Sequence, residues 1–166
     1  MAAEPGMAGM AGMGPPPGVP VREVTVEAPA SSANLGPGFD SLGVAWELRV
    51  RVRWRLWPLG QGQAGRVGRW PPVLLGLAVG GEGSDRLPRG PENRIWQAAL
   101  RAFEAMDPHK AGQWAARQLG LEGADGWGVE VEASAEVPPA SGLGSSAAAA
   151  VAGLWGADAL FGHPLG

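Results

Sequence analysis

A short glycine-rich turn between a strand pattern and a helix pattern constrains the fold of this chain most strongly. Residues 138–148 read PPASGLGSSAA. The preceding residues 128–135 alternate apolar and polar side chains as a strand does, and the alanine-rich run that follows predicts a helix ending near Phe161. Glycines let a ligand approach the backbone closely, and the first turn of a helix presents unpaired N–H groups at the positive end of its dipole. The segment therefore indicates either a site for an anionic group such as phosphate or only a capped helix behind a tight turn.

The turn differs from two common nucleotide-binding motifs. A Walker-type loop needs a lysine before its Ser/Thr, and the single lysine of this chain, Lys110, lies far away. Gly142, Gly144 and Ala147 satisfy the spacing of a dinucleotide-binding turn, but so short a pattern is weak on its own. The hydroxyls of residues 145–146, at the predicted helix start, suit phosphate oxygens or Mg²⁺. The motif thus favours a phosphate-binding turn that is neither a Walker-type loop nor a dinucleotide-binding turn.

Composition excludes several classes of function. The chain of 166 residues is typical of one domain, and its 45% apolar content supports a core. A net charge of −3 argues against nucleic-acid binding, and the absence of cysteine excludes disulfides and fits the cytoplasm. No long apolar run predicts a membrane span. Residues 1–20, rich in Gly, Pro and Met, predict a disordered extension without the features of a signal peptide.

The order of the predicted elements indicates an α+β fold. Periodicity predicts four strands, at Val24–Ala28, Gly43–Trp57, Val73–Val79 and Trp127–Ala133, with a loop over Pro29–Asp40. Helices are predicted at Asn93–Met106, Pro108–Leu119 and Ser145–Phe161. This order predicts two layers, a largely antiparallel sheet with helices on one face. A doubly wound parallel sheet is the competing interpretation, but the strand–helix alternation is too irregular for it.

The second strand has one apolar and one cationic face. Its even-numbered positions from Leu48 to Leu56 are apolar, whereas positions 49, 51, 53 and 55 are arginine. Such alternation is typical of an antiparallel strand with one wet side. The arginine row is either a solvated face, which we favour, or a phosphate-binding surface.

Residues 28–43, APASSANLGPGFDSLG, narrow the interpretation further. Together with PPASGLGSSAA and with NRIWQA at residues 93–98, in this order and spacing, they resemble the motifs of homoserine kinases in the GHMP kinase superfamily. Residues 160–165, LFGHPL, are similar to the segment that follows the phosphate-loop helix in that family. The resemblance covers about residues 22–166.

The resemblance implies ATP-dependent phosphorylation of the hydroxyl of L-homoserine, a step of threonine biosynthesis, with Mg²⁺. Asn34 and Asp40 match positions that contact homoserine, although from the residues alone both could simply cap turns. Asn93 would lie near the adenine, and Ser146 would approach Mg²⁺. The residues that would cradle the triphosphate are Pro138, Pro139, Ala140, Ser141, Gly142, Leu143, Gly144, Ser145, Ser146, Ala147 and Ala148.

The resemblance also sets expectations for the whole protein. Homoserine kinases continue well beyond this sequence, so residues 21–166 are expected to form an N-terminal, ATP-binding GHMP kinase domain whose second domain is missing, with little activity alone. No catalytic residue is identified. The partners implied are L-homoserine and ATP, without nucleic acid or membrane, and a homodimer of the longer enzyme is compatible with the resemblance. The alternatives are another GHMP small-molecule kinase and a non-catalytic nucleotide-binding module.

Overall fold

The computed structural model describes residues 18–33, 35–38, 41–60, 70–120 and 126–165. Residues 1–17 of the predicted disordered extension lie outside this part. The strands are β1 (Arg22–Ala33), β2 (Gly43–Leu59), β3 (Val73–Gly81) and β4 (Gly126–Ala135). The helices are α1 (Arg94–Ala105), α2 (Pro108–Leu119) and α3 (Ser145–Leu160), and short 3-10 turns occur at Gly36–Gly38 and Ser84–Arg86. None of the helices in these described ranges has the length and apolar character needed to span a membrane.

The four strands form one mixed sheet in the order β1-β2-β4-β3. β2 pairs antiparallel with both β1 and β4, whereas β3 and β4 are parallel. The parallel pair is connected in the chain through α1 and α2, since two parallel neighbours cannot be joined by a tight hairpin. The predicted α+β class with a largely antiparallel sheet is confirmed, and the doubly wound alternative is wrong.

The two faces of the sheet differ as the alternation in β2 predicts. On one face Val52, Trp54 and Val131 are fully or almost fully buried, and α3 packs against β1 and β2 while α1 packs against α3. The opposite face carries the four arginines of β2, which form ion pairs with glutamates of β1 and β4 at 2.7–3.7 Å. The arginine row is therefore an ion-paired surface, which agrees with the solvated-face interpretation.

Two glycines let α3 lie directly on its neighbours. A Cβ at Gly156 would stand 2.0 Å from Nε1 of the buried Trp54, and one at Gly153 would stand 2.3 Å from the carbonyl oxygen of Ile95 in α1. Because no side chain separates these surfaces, α3 fits closely against both the sheet and α1. The opposite side of the helix exposes apolar side chains, among them Leu154 and Trp155.

The predicted loop over Pro29–Asp40 is wrong for its first five residues. β1 continues to Ala33, with a register irregularity between Pro29 and Ser31. Proline interrupts a ladder in the middle of a sheet, but β1 is an edge strand, where one side of the backbone has no partner strand. The extension matters because it carries Ser31 and the following residues to the glycine-rich turn.

Candidate anion-binding site

The glycine-rich turn combines several left-handed residues in a few positions. Ala140, Gly142 and Gly144 have φ values of 60°, 75° and 72°. Glycine adopts this region without penalty, whereas Ala140 adopts it at a cost. The Ser141 hydroxyl donates a hydrogen bond of 2.7 Å to the Pro138 carbonyl, which closes the entry of the turn. The sequence from Pro138 onward therefore folds into a tight reversal that ends at the first residue of α3.

The turn rests on the end of β1 through backbone contacts. The Ser31 N–H donates to the Leu143 carbonyl at 3.0 Å, and the Ser32 hydroxyl donates to the Gly142 carbonyl at 3.0 Å. The indole N–H of Trp46 in turn donates to the Ser32 hydroxyl oxygen at 3.0 Å. The structure thus brings the two sequence motifs, residues 28–43 and 138–148, into direct contact.

The amino end of α3 is free of side-chain caps. Its N-cap residue, Gly144, has no side chain to accept a hydrogen bond, so the first amides of the helix keep unpaired N–H groups. The hydroxyls of Ser145 and Ser146 make no hydrogen bond with the described part of the chain, and Ser146 is exposed. Free N–H groups, two hydroxyls and the positive end of the helix dipole together suit an anion such as phosphate.

Asn93 is the N-cap of α1, and both the oxygen and the nitrogen of its side-chain amide form hydrogen bonds. Its Oδ1 accepts from the Ile95 N–H at 2.9 Å, and its Nδ2 donates to the Pro88 carbonyl at 2.7 Å. The side chain is 4% exposed, and these bonds satisfy its buried polar atoms. Asn93 therefore fixes both the start of α1 and the loop that carries Pro88.

A cavity of about 290 Å³ lies between the starts of α1 and α3 and the core face of the sheet. Its walls are mainly apolar with a few polar groups, the composition usual in small-molecule sites. The sheet contributes Val50, Val79 and Ala133, and the remaining wall includes Leu87, Pro88, Glu92, Asn93, Arg94, Val137, Pro139, Ala140, Ser145, Ser146 and Ala149.

The structure brings five of the twelve predicted nucleotide-binding residues to this cavity. Asn93, Pro139, Ala140, Ser145 and Ser146 line it, whereas the backbone from Gly142 to Gly144 lies against β1. Asn34 and Asp40, the predicted homoserine contacts, lie outside the described residues.

The sequence reasoning missed two groups of residues. The wall formed by Leu87 and Pro88 carries no motif, because it belongs to a loop with many Gly and Pro residues. The support from Ser32 and Trp46 depends on side chains far apart in the chain from the turn they hold, so no local pattern could reveal it.

Metal-binding side chains do not cluster in the described part of the chain. It contains no group of three or more His, Asp or Glu residues placed to hold an ion. Around the cavity, the Ser146 hydroxyl is an oxygen ligand of the kind that suits Mg²⁺, which is often held by few protein groups together with substrate phosphates and water.

Comparison with known proteins shows what the chain is similar to. Residues 94–166 match the sequence model described as the GHMP kinases N terminal domain. A homoserine kinase of Prochlorococcus marinus (strain MIT 9303) is 40% identical over 144 residues, 87% of this chain and 37% of that protein. A homoserine kinase of Synechococcus sp. (strain CC9605) is 41% identical over 144 residues, again 87% of this chain and 37% of that protein.

A solved structure agrees with the sequence relatives. The crystal structure of homoserine kinase from Cytophaga hutchinsonii ATCC 33406 superimposes with a TM-score of 0.53 at 30% identity, over 85% of this chain and 36% of that one. The chain thus spans little more than a third of the length of the relatives it matches. In sequence and in fold it is similar to part of these homoserine kinases, and its residues 94–166 are similar to the GHMP kinases N terminal domain.

Proposed function

We propose that this chain forms the nucleotide-binding part of a homoserine kinase, which transfers the γ-phosphoryl group of ATP to the hydroxyl of L-homoserine for threonine biosynthesis. One observation carries the proposal: the uncapped start of α3, behind the glycine-rich turn, opens on a cavity lined in large part by residues of the matched GHMP segment. Within this proposal, residues 21–166 form an N-terminal ATP-binding domain.

The cavity suits the two ends of a nucleotide. The phosphates would lie at the amides of Gly144, Ser145 and Ser146, where the helix dipole favours negative charge. The adenine would enter the apolar part, beside the wall that Asn93 holds in place through Pro88. Asn93 keeps one amide hydrogen and one lone pair beyond its internal bonds, so it can still contact a base.

Ser146 is the residue of the cavity wall that would help to hold Mg²⁺. The Ser146 hydroxyl would supply one oxygen ligand, and substrate phosphates and water would supply the others. When bound, the ion neutralises negative charge on the phosphates during transfer. The protein residues contribute the position of the polyphosphate and the N–H groups that stabilise it.

The acceptor would be held by the motif around the end of β1. Asp40 offers a carboxylate for the ammonium group of homoserine, and Asn34 offers an amide that both donates and accepts. The contacts of Ser31 and Ser32 with the glycine-rich turn support the proposal, because they tie this motif to the phosphate end of the cavity. Phosphoryl transfer depends mainly on such alignment and on charge stabilisation, and we assign no general base.

A coupled ADP-release assay with ATP and several acceptors tests the function. The protein that carries this sequence should release ADP with L-homoserine and not with mevalonate or galactose. Asp40→Asn should raise the KM for homoserine at least tenfold without changing the affinity for ATP, since it removes the charge that pairs with the ammonium group. The matched control is Asp85→Asn, at an exposed carboxylate in the 3-10 turn Ser84–Arg86, which should change neither value.

The assay also separates the alternatives. ADP release with mevalonate or galactose in place of homoserine would indicate another GHMP small-molecule kinase. ATP binding without turnover of any acceptor would indicate a non-catalytic nucleotide-binding module. A cytoplasmic location, a homodimer and the absence of nucleic-acid and membrane partners stay predictions.

A further inference from the structure

One cationic side chain stands out in the described part of the cavity wall, because it has no partner among the described residues. Among the described residues that line the cavity, only Arg94 is basic. It is exposed and makes no ion pair or hydrogen bond with the described part of the chain. Arg101 in the same helix, by contrast, pairs with Glu104 at 3.0 Å. The charge of Arg94 is thus available at the cavity.

The local structure gives no benefit for a cation at this position. Arg94 is the first residue of α1, where the helix dipole is positive and a cation is unfavourable. Glu92, the acidic residue of the described wall, forms no ion pair with Arg94. Helix stability therefore does not account for the arginine.

The position does suit an anionic ligand. Arg94 lines the same cavity as Ser145 and Ser146, which stand at an amide-rich helix start that already favours phosphate. A guanidinium group binds phosphate oxygens through two parallel N–H donors, and such charge-assisted bonds are stronger than neutral ones.

We infer that Arg94 contacts the polyphosphate of the bound nucleotide and makes the cavity selective for phosphorylated nucleotides over nucleosides. The inference rests on the proposed function, because it places the nucleotide in this cavity. Arg94 acts here as a specificity-determining residue through its charge.

Titration calorimetry with three probes tests this role. ATP, adenosine and inorganic tripolyphosphate are titrated into the unaltered chain and into the variants Arg94→Leu, Arg94→Lys and Arg101→Leu. Arg94→Leu should weaken ATP and tripolyphosphate binding about tenfold and leave adenosine binding unchanged. Arg94→Lys should retain part of the affinity, and Arg101→Leu should behave as the unaltered chain.

Thermal unfolding of the same variants separates a binding role from a structural one. Removal of a cation from the start of α1 should leave the midpoint temperature unchanged or slightly higher. A lower midpoint in Arg94→Leu, together with equal weakening of all three probes, would assign a structural role and overturn the inference.

The probes also distinguish failure of this inference from failure of the proposed function. Equal ATP affinity in Arg94→Leu and Arg101→Leu would overturn the role of Arg94 while nucleotide binding stands. A second outcome is that tripolyphosphate binding depends on Arg94, but ATP binds no more tightly than tripolyphosphate and no ADP is released. Arg94 would then still contact the anion, and the kinase assignment would be rejected. Absence of binding to both anions would overturn the inference itself.

Discussion

At Gly144 both the backbone conformation and a close contact with β1 disfavour a side chain. Gly144→Ala should therefore destabilise the protein through both effects. The φ of Gly144, 72°, is in the left-handed region, and a Cβ there would stand 2.2 Å from the Ser31 carbonyl oxygen. Gly142 provides the matched control, since its φ is 75° and no atom of the described residues lies within 4 Å of a Cβ. The pair therefore separates backbone strain from the close approach to β1.

The expected loss of stability follows from these distances. A left-handed alanine costs about 1 kcal/mol in either variant. At Gly144 the turn must also move about 1 Å away from β1 to reach ordinary contact. That shift breaks or lengthens the Ser31–Leu143 hydrogen bond, which contributes about 0.5–1.5 kcal/mol. We expect the free energy of unfolding to fall by about 1 kcal/mol in Gly142→Ala and by about 1.5–2.5 kcal/mol in Gly144→Ala.

Urea unfolding measures the difference directly, and calorimetry with ATP measures its effect on the site. Under conditions where both variants are folded, Gly144→Ala should bind ATP at least about tenfold more weakly than Gly142→Ala, because only the former displaces the start of α3. Equal losses of stability in the two variants would refute the reasoning, since the Ser31 carbonyl would then place no limit on the turn.

Three further predictions concern the scaffold. Gly156→Ala should destabilise the fold by about 2 kcal/mol, since its Cβ would stand 2.0 Å from a buried indole nitrogen. Gly112 on α2 has open space around it, so Gly112→Ala should stabilise the fold by about 1 kcal/mol. Urea unfolding measures both changes. Arg55→Gln should lower the free energy of unfolding by about 1–2 kcal/mol, because it removes ion pairs with three carboxylates. Arg51→Gln removes an ion pair with one carboxylate and should lower it by less than about 1 kcal/mol. Equal losses of stability in urea unfolding would contradict this. The pKa of Asp107 is held below its usual value of 3.8 because two backbone N–H groups in the first turn of α2 donate to its carboxylate. Its stabilising effect is therefore present above about pH 4 and lost as the pH falls through the lowered pKa, so Asp107→Ala should reduce the midpoint temperature at pH 7 and much less at pH 2.

The sequence by itself determined the elements whose causes are local. The arginine alternation in β2 set one wet and one buried face, because successive side chains of a strand point to opposite sides. Asn93 marked the start of α1, where its side chain accepts a hydrogen bond from the first helical amides, and Pro108 marked the start of α2, where its fixed φ suits the first helical position. The glycine-rich turn indicated phosphate for the same local reason, a free helix start behind residues that tolerate positive φ.

Only the tertiary structure decided what surrounds that turn. The edge position of β1 allowed the strand to continue past Pro29, and this extension put Ser31 and Ser32 against residues more than 100 positions later in the chain. The cavity likewise exists only where the start of α1, the start of α3 and the sheet meet, which places Arg94 and Ser146 in one cavity wall. Periodicity and capping depend on neighbours within a few residues, whereas the cavity depends on how close three distant segments come. Glycines at the contacts, Gly144 against β1 and Gly153 against α1, allow these segments to approach one another closely. Their role is evident only from the tertiary structure, because their contact partners are distant in the sequence.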